Sequence, residues 1–380
     1  MRAIGLMSGT SLDGIDAALV ELSSRAHGYA VETLAFRTLP FEAGLRERIV
    51  AALPPYAPEP RAVALLDAAL GRAFGEAAAS VASGEVDFIA SPGLTLYHDG
   101  SVPVSAQIGD PYAIRERTGV TVVFDFRRAD VAAGGQGAPL VPYVDRLLFA
   151  DATRDVVALN LGGIANVTVL AKNAGSAPRA WDTGPGNMLI DAFVRRRSGG
   201  TRAFDAGGML AARGRVSEDA LQALQADPYF RQAPPKSTGR ERFGDAYLES
   251  HARVLAALSD EDGCATLTAL SARTICTSLA AFGASGARIV ASGGGTHNAT
   301  LMGLLRAEHE VDTSQAFGID PDAKEAIAFA ILGLETLRGR PSGVPSATGA
   351  RHAAVLGAIA PVEPARLLEK IARTFANASA

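Results

Sequence analysis

Cysteine is scarce. The 380 residues include two, Cys264 and Cys276, twelve positions apart on a stretch that reads as helix. That excludes a disulfide framework and a cysteine zinc site, and leaves two small buried residues suited to a reducing cytoplasm. Long basic runs are missing as well. The longest is Arg195-Arg196-Arg197, which reads as a solvated helix end, and the formal net charge is -4. Nucleic acid is therefore not an expected partner. No segment offers ~20 uninterrupted apolar residues, so no membrane span is expected. The apolar stretch at Met1–Met7 is too short for a signal-peptide core. What is present, 48% hydrophobic and 20% charged residues, is a soluble globular composition.

The length exceeds one ordinary core and points to two domains. Arg2–Met7, Ile15–Leu22 and Tyr29–Thr38 read as strands, Arg61–Ala82 as a long helix, and Val86–Ala90 and Thr121–Phe124 as further buried strands. The pattern then restarts. Asp155–Asn160, Ile164–Leu170 and Arg179–Asp182 read as strands, followed by helices at Met188–Arg197 and Thr266–Phe282. Arg288–Ala291 reads as a strand, with helices at Thr296–Glu308, Asp322–Arg338 and Pro364–Ala376. Each half opens with strand, glycine turn, strand. That predicts two similar α/β domains facing each other across a cleft. The expected division is 1–128 with 350–380, and 129–349.

Five segments can carry chemistry. Gly9-Thr10-Ser11-Leu12-Asp13-Gly14 joins two strands and offers backbone N–H groups and hydroxyls to phosphate oxygens. Its Asp13 can orient a hydrated Mg²⁺ ion; a plain hairpin turn is the alternative. Asn160-Leu161-Gly162-Gly163 repeats the device in the second half. Gly293-Gly294-Gly295-Thr296-His297-Asn298 follows a strand and opens a helix, where glycines let adenosine or a phosphate approach the backbone. Asp182, at a strand end before Thr183-Gly184-Pro185-Gly186-Asn187, is either a catalytic carboxylate or a helix cap. Arg127, Arg128 and Asp130 sit at the expected domain junction, to clamp a substrate or to bridge domains.

Together these segments resemble the anhydro-N-acetylmuramic acid kinase family. The stretches that carry the resemblance are GLMSGTSLDGID (Gly5–Asp16), QIGDP (Gln107–Pro111), DFRRADVAAGGQGAPLVP (Asp125–Pro142), NLGGIANVT (Asn160–Thr168), DTGPGN (Asp182–Asn187), PKSTGRERF (Pro235–Phe243) and GGGTHN (Gly293–Asn298). The resemblance implies an α/β actin-like ATPase fold with two RNase H-like domains flanking a nucleotide and substrate cleft. It also implies ATP and Mg²⁺, a cytoplasmic homodimer, and conversion of 1,6-anhydro-N-acetylmuramic acid to N-acetylmuramic acid 6-phosphate in cell-wall recycling. On matching positions it assigns Gly9, Thr10, Ser11, Asp13 and Gly14 to one phosphate loop and Asn160, Gly162 and Gly163 to the other. It gives Gly293, Gly294, Gly295 and Asn298 to adenosine, and Asp182 to catalysis. Thr95, Arg127, Arg128, Asp130 and Glu325 go to the sugar side.

The family usually carries His-Gly-Gln-Thr where this chain reads Pro92-Gly93-Leu94-Thr95. Two hydrogen-bonding side chains are thus replaced, which implies either a different sugar or Leu94 packing on a less polar part of the same one. Two other readings keep the fold. One is a kinase for an ordinary sugar hydroxyl; the other is a nucleotide-gated binding module without turnover.

Overall fold

The computed structural model describes residues 1–9, 12, 14–25, 28–54, 56–99, 102, 104–172 and 176–376. Thr10, Ser11 and Asp13, three of the expected site residues, lie outside the described residues. The strands are β1 (Arg2–Met7), β2 (Gly14–Ser24), β3 (Tyr29–Pro40), β4 (Phe88–Ser91), β5 (Leu94–Asp99), β6 (Val104–Ile108), β7 (Val122–Phe124), β8 (Val156–Leu161), β9 (Ile164–Leu170), β10 (Arg179–Pro185), β11 (Arg288–Ser292), β12 (Val311–Thr313) and β13 (Ala358–Ala360). The helices that cover them include α1 (Pro60–Val81), α2 (Met188–Arg197), α3 (Asp260–Ala281), α4 (Ala299–Glu308) and α5 (Lys324–Leu337).

Two compact units result: Met1–Leu148 with Gly318–Ala380, and Phe149–Phe317. These limits differ from the breaks expected at 128/129 and 349/350. The reason for the later break is α5, which packs on β1 and β4 of the first unit. A Cβ on Gly5 of β1 would lie 1.8 Å from the Ala326 carbonyl oxygen, and one on Gly333 would lie 2.8 Å from the Ala90 Cβ. Glycine on both partners is what lets this helix settle onto the sheet.

In the first unit the sheet order is β13-β7-β4-β1-β2-β3, and in the second β10-β9-β8-β11-β12. In the first sheet β2 runs antiparallel to β1 and β3, while β4 is parallel to β1 and β7 to β4. In the second, β9 runs antiparallel to β8 and β10, while β11 is parallel to β8 and β12 to β11. With the edge strand β13 and the separate β5–β6 hairpin set aside, both sheets have one order, 3-2-1-4-5, and one direction pattern. This duplication is the pair of RNase H-like domains of the actin-like ATPase fold.

Parallel neighbours require crossovers, and helices supply them. On α1, Leu66, Leu70, Phe74, Ala77, Ala78 and Val81 are buried at helical spacing against Ile4, Leu6, Ile15, Leu19 and Ile89. In the second unit Ile275 and Leu279 of α3 and Leu301 and Leu305 of α4 pack with Val157, Leu159, Leu161 and Ile289. Among the described residues no helix is long and apolar enough to cross a membrane.

Candidate active site

In the second unit the glycine-bearing turns meet at one end of the sheet. Asn160 of β8 is in register with Ser292 of β11, so the turns leaving these parallel strands emerge side by side. Gly293 takes φ +85°, and a Cβ there would lie 2.7 Å from Asn160 Oδ1. A Cβ on Gly295 would lie 2.6 Å from the Leu161 Cβ. The turn after Asp182 closes on the same point. Gly186 N–H donates to the Gly163 carbonyl (2.8 Å) and Asn187 N–H to the Gly162 carbonyl (2.9 Å). Gly163 and Gly294 are exposed, and a Cβ on Gly294 would meet nothing within 4 Å. These glycines therefore divide by cause. Gly186, Gly293 and Gly295 let backbones pack closely, whereas Gly294 leaves open space where a ligand can reach the main chain.

Asn298 is 6% exposed, and its Oδ1 accepts from Leu301 N–H (3.0 Å) as the N-cap of α4. That use of the side chain was not anticipated. It also fixes Gly208, where a Cβ would lie 2.1 Å from the same oxygen.

Asp182 lies at the bulge that shifts the β9–β10 register between Asp182 and Gly184. Its backbone N–H donates to the Lys236 carbonyl (3.1 Å), and Thr238 N–H donates to its Oδ2 (2.8 Å). The Tyr229 hydroxyl donates to its carbonyl (2.9 Å). Burial raises the carboxyl from 3.8 to about 6; the Thr238 N–H opposes this, Glu241 adds to it, and Lys236 opposes it. A carboxylate titrating there is suited to accept a proton near neutral pH. The residues around it, Tyr229, Lys236, Thr238 and Glu241, were missed as site residues. The string PKSTGRERF marked the segment but gave no hint of its target.

The first unit holds a separate group of expected residues. Arg127 Nη1 donates to the Gly137 carbonyl (2.9 Å). Its Nε is buried without a partner among the described residues. Burial pulls its pKa down, and Glu325 pushes it back up. Glu325 is raised by burial first, lowered by Lys324, raised by Asp16, and lowered by Arg127. Arg127 and Glu325 thus act on each other's charge, and Asp16 acts on Glu325. Arg128 is different: its side chain is 72% exposed and pairs with Asp125.

Asp130 is fully buried. One of its oxygens accepts from Gly137 N–H (2.8 Å) and the other from the Thr348 hydroxyl (2.8 Å). It holds the 134–137 turn in place and has no surface to offer a sugar. Thr95 pairs with Gln107 across β5–β6. Leu94 is 2% exposed and belongs to the core with Phe74 and Ile108. The residue standing where the family has Gln is thus core packing, not a surface laid against the sugar. Gly9 and Gly14 bound the first loop. Leu12 N–H donates to the Gly9 carbonyl (3.2 Å), and a Cβ on Gly14 would lie 2.3 Å from the Leu39 carbonyl oxygen.

A family model described as anhydro-N-acetylmuramic acid kinase matches residues 1–362. Curated proteins similar to this chain include the anhydro-N-acetylmuramic acid kinase of Streptomyces coelicolor, 45% identical over 97% of this chain and 96% of that protein. That of Caldanaerobacter subterraneus is 41% identical over 94% and 96%. Among solved structures, the activator of the 2-hydroxyisocaproyl-CoA dehydratase from Clostridium difficile, with bound ADPNP, aligns over 88% of this chain and 94% of its own. Its TM-score of 0.43 and 11% identity make it too distant to bear on function.

Proposed function

Because the chain belongs to the anhydro-N-acetylmuramic acid kinase family and is thereby a phosphotransferase, we propose that it opens 1,6-anhydro-N-acetylmuramic acid and phosphorylates O6 at the expense of ATP. Asp182 takes a proton from the water that attacks the anomeric carbon from the face opposite the bridge. The C1–O6 bond breaks, and the released O6 attacks the γ-phosphorus in line. The bond from that phosphorus to the β-phosphate oxygen breaks, and ADP leaves. The products are N-acetylmuramic acid 6-phosphate and ADP.

Gly162, Gly163 and Gly294 are the second unit's candidates for the nucleotide, and the exposure of Gly163 and the open backbone at Gly294 support the assignment. Gly9, Thr10, Ser11, Asp13 and Gly14 are carried as the first unit's phosphate loop. A single carboxylate there suits Mg²⁺, which keeps several waters and takes few carboxylates; bound with ATP, the ion supplies charge neutralisation on the triphosphate. Arg127 and Glu325 are assigned to the sugar. A homodimer and a cytoplasmic role in cell-wall recycling belong to the same proposal.

The observation that carries this reading is Asp182 itself: a carboxylate held by the Thr238 N–H, raised to about 6, beside the glycine turns. Asp182→Asn should still bind ATP but lose ~10²–10⁴ in kcat, the scale of a positioned general base. ADP release with the anhydro sugar measures it; near-normal turnover rejects the assignment.

A further inference from the structure

Pro235–Phe243 is the motif that the mechanism leaves unused, and Thr238 within it carries a hydroxyl with nothing to bond. The residue is partly buried, and its N–H donates to Asp182 Oδ2 (2.8 Å). Its Oγ1 is buried without a hydrogen-bond partner. A polar atom held that way is destabilising, so it calls for a cause. Other hydroxyls around the Asp182–Asn187 turn are satisfied. Thr183 donates to the Ala165 carbonyl (3.1 Å), Ser271 to the Gly186 carbonyl (2.7 Å), and Ser278 accepts from Trp181 Nε1 (2.8 Å). Thr268 and Ser314 also lack a partner, but both residues are fully enclosed, at 0% exposure, where no substrate arrives.

The surroundings define what would satisfy the hydroxyl. The Thr238 N–H occupies Asp182 Oδ2, while Asp182 Oδ1 has no hydrogen-bond partner among the described residues. Covalent geometry keeps a threonine Oγ1 within about 4 Å of its own nitrogen, and so within about 7 Å of that carboxylate. No bond joins the two groups directly. A water held by two O–H···O bonds spans oxygens roughly 4.5 Å apart, which lies inside this reach. Base and threonine are also fixed relative to each other. Asp182 N–H donates to the Lys236 carbonyl, and the Tyr229 hydroxyl donates to the Asp182 carbonyl.

We propose that Thr238 is a second catalytic residue: its hydroxyl accepts a hydrogen bond from the attacking water while Asp182 takes that water's other proton. The inference rests on Asp182 being the base. One hydrogen of the water points to the free carboxylate oxygen and the other to Oγ1, which leaves a lone pair for the anomeric carbon. In the step itself the first proton passes to the carboxylate and the water oxygen bonds to C1. The C1–O6 bond breaks, and its electron pair goes to O6. The second hydrogen stays behind as that of the new C1 hydroxyl, so the threonine neither gains nor loses a proton. Two fixed contacts aim the water, whereas one would let it swing, and orientation of this kind lowers the barrier.

The test uses the full-length enzyme with ATP and the anhydro sugar, in single turnover so that product release does not hide the chemical step. Thr238→Val keeps the N–H to Asp182 and replaces the hydroxyl by a methyl of similar size. Its rate should fall roughly tenfold, the scale of one hydrogen bond made in the transition state. The KM for ATP should stay within roughly twofold, since uniform binding is untouched. The melting temperature should hold or rise, because the change removes an unpartnered buried hydroxyl. A merely structural threonine would give the reverse, a lower melting temperature at the parent rate. Thr238→Ser keeps the hydroxyl and should run close to the parent. If Thr238→Val fails to fold, Thr238→Ala gives the same reading with a smaller side chain. A folded Val or Ala variant at the parent rate, or a Ser variant as slow as they are, overturns the inference. Asp182→Asn separates the two claims. If that variant is active, the base assignment itself fails; if it is inactive while Thr238→Val turns over normally, only the role of the hydroxyl falls.

Discussion

The two sheets share one strand order and one pattern of directions, yet they treat their third strand in opposite ways. In the first unit β3 runs for 12 residues to Pro40, most of them partly or fully exposed. In the second β10 is 7 residues long, breaks register at Asp182 and ends in Gly184 and Pro185, which are buried. The bulge turns a strand end into a platform, and the 235–243 segment clasps the carboxylate presented there. The duplicated fold supplies equivalent positions, and both third strands shift register, β3 in mid-strand opposite Leu19 and Val20 and β10 at Asp182, near its buried end, where the shift presents a carboxylate.

The central strands differ too, and this difference should have the largest effect on stability. Gly5 of β1 sits under the backbone of α5, whereas β8 contains no glycine and buries Leu159 and Leu161 in its core. Gly5→Ala places a Cβ 1.8 Å from the Ala326 carbonyl oxygen. Neither a strand centre nor a helix backbone can yield cheaply. Overpacking ordinarily costs ~1–3 kcal/mol, and this contact falls at or beyond the upper end. Denaturant unfolding should show the first unit failing before the second. Equal stability in the variant would mean that α5 rides freely over the sheet.

A finer contrast lies among the glycines of one turn. Gly295→Ala puts a methyl 2.6 Å from the Leu161 Cβ and should lower the melting temperature. Gly294→Ala meets nothing within 4 Å and should leave the melting temperature unchanged while raising the KM for ATP several-fold. Thermal shift and steady-state kinetics on the pair distinguish a packing glycine from a ligand-facing one. If Gly294→Ala has no effect on nucleotide, the open space belongs to something else.

Much of this was legible in the residues because period-2 runs and glycine turns are local signals. The strands Arg2–Met7 and Ile164–Leu170 and the helix Met188–Arg197 match the expected spans. The β5–β6 hairpin was missed, since His98 and Asp99 interrupt its alternation. The partners of Asp182 were missed for a different reason. Lys236, Thr238 and Glu241 lie over fifty positions away, and no local pattern encodes a contact that only the fold creates. Asp130 shows the converse: a polar residue in a conspicuous string looked like a ligand contact, and its full burial made it a turn-holder.

The smallest effect concerns two crossover helices of equal length. α1 and α3 each span 22 residues and each leads from the third strand of its sheet toward the fourth. α1 starts behind Glu59 with Pro60 as its first residue and no side-chain cap. α3 starts behind Ser259, whose side chain accepts from Asp262 N–H (3.0 Å), with Asp260, Glu261 and Asp262 in its first turn. The sequence-based start at Thr266 fell six residues late because an Asp-Glu-Asp-Gly string reads as loop, although acidic residues favour a helix N-terminus. Ser259→Ala should cost about 1 kcal/mol, the usual worth of such a cap. Amide exchange should accelerate in the first turn of α3 and not at Ile275 or Leu279, which stay packed on the sheet. Glu59→Ala should leave the first turn of α1 unaffected, since no bond is lost there. If both helices respond alike, the capping hydrogen bond is not what sets the start of α3, and its acidic first turn must carry the boundary.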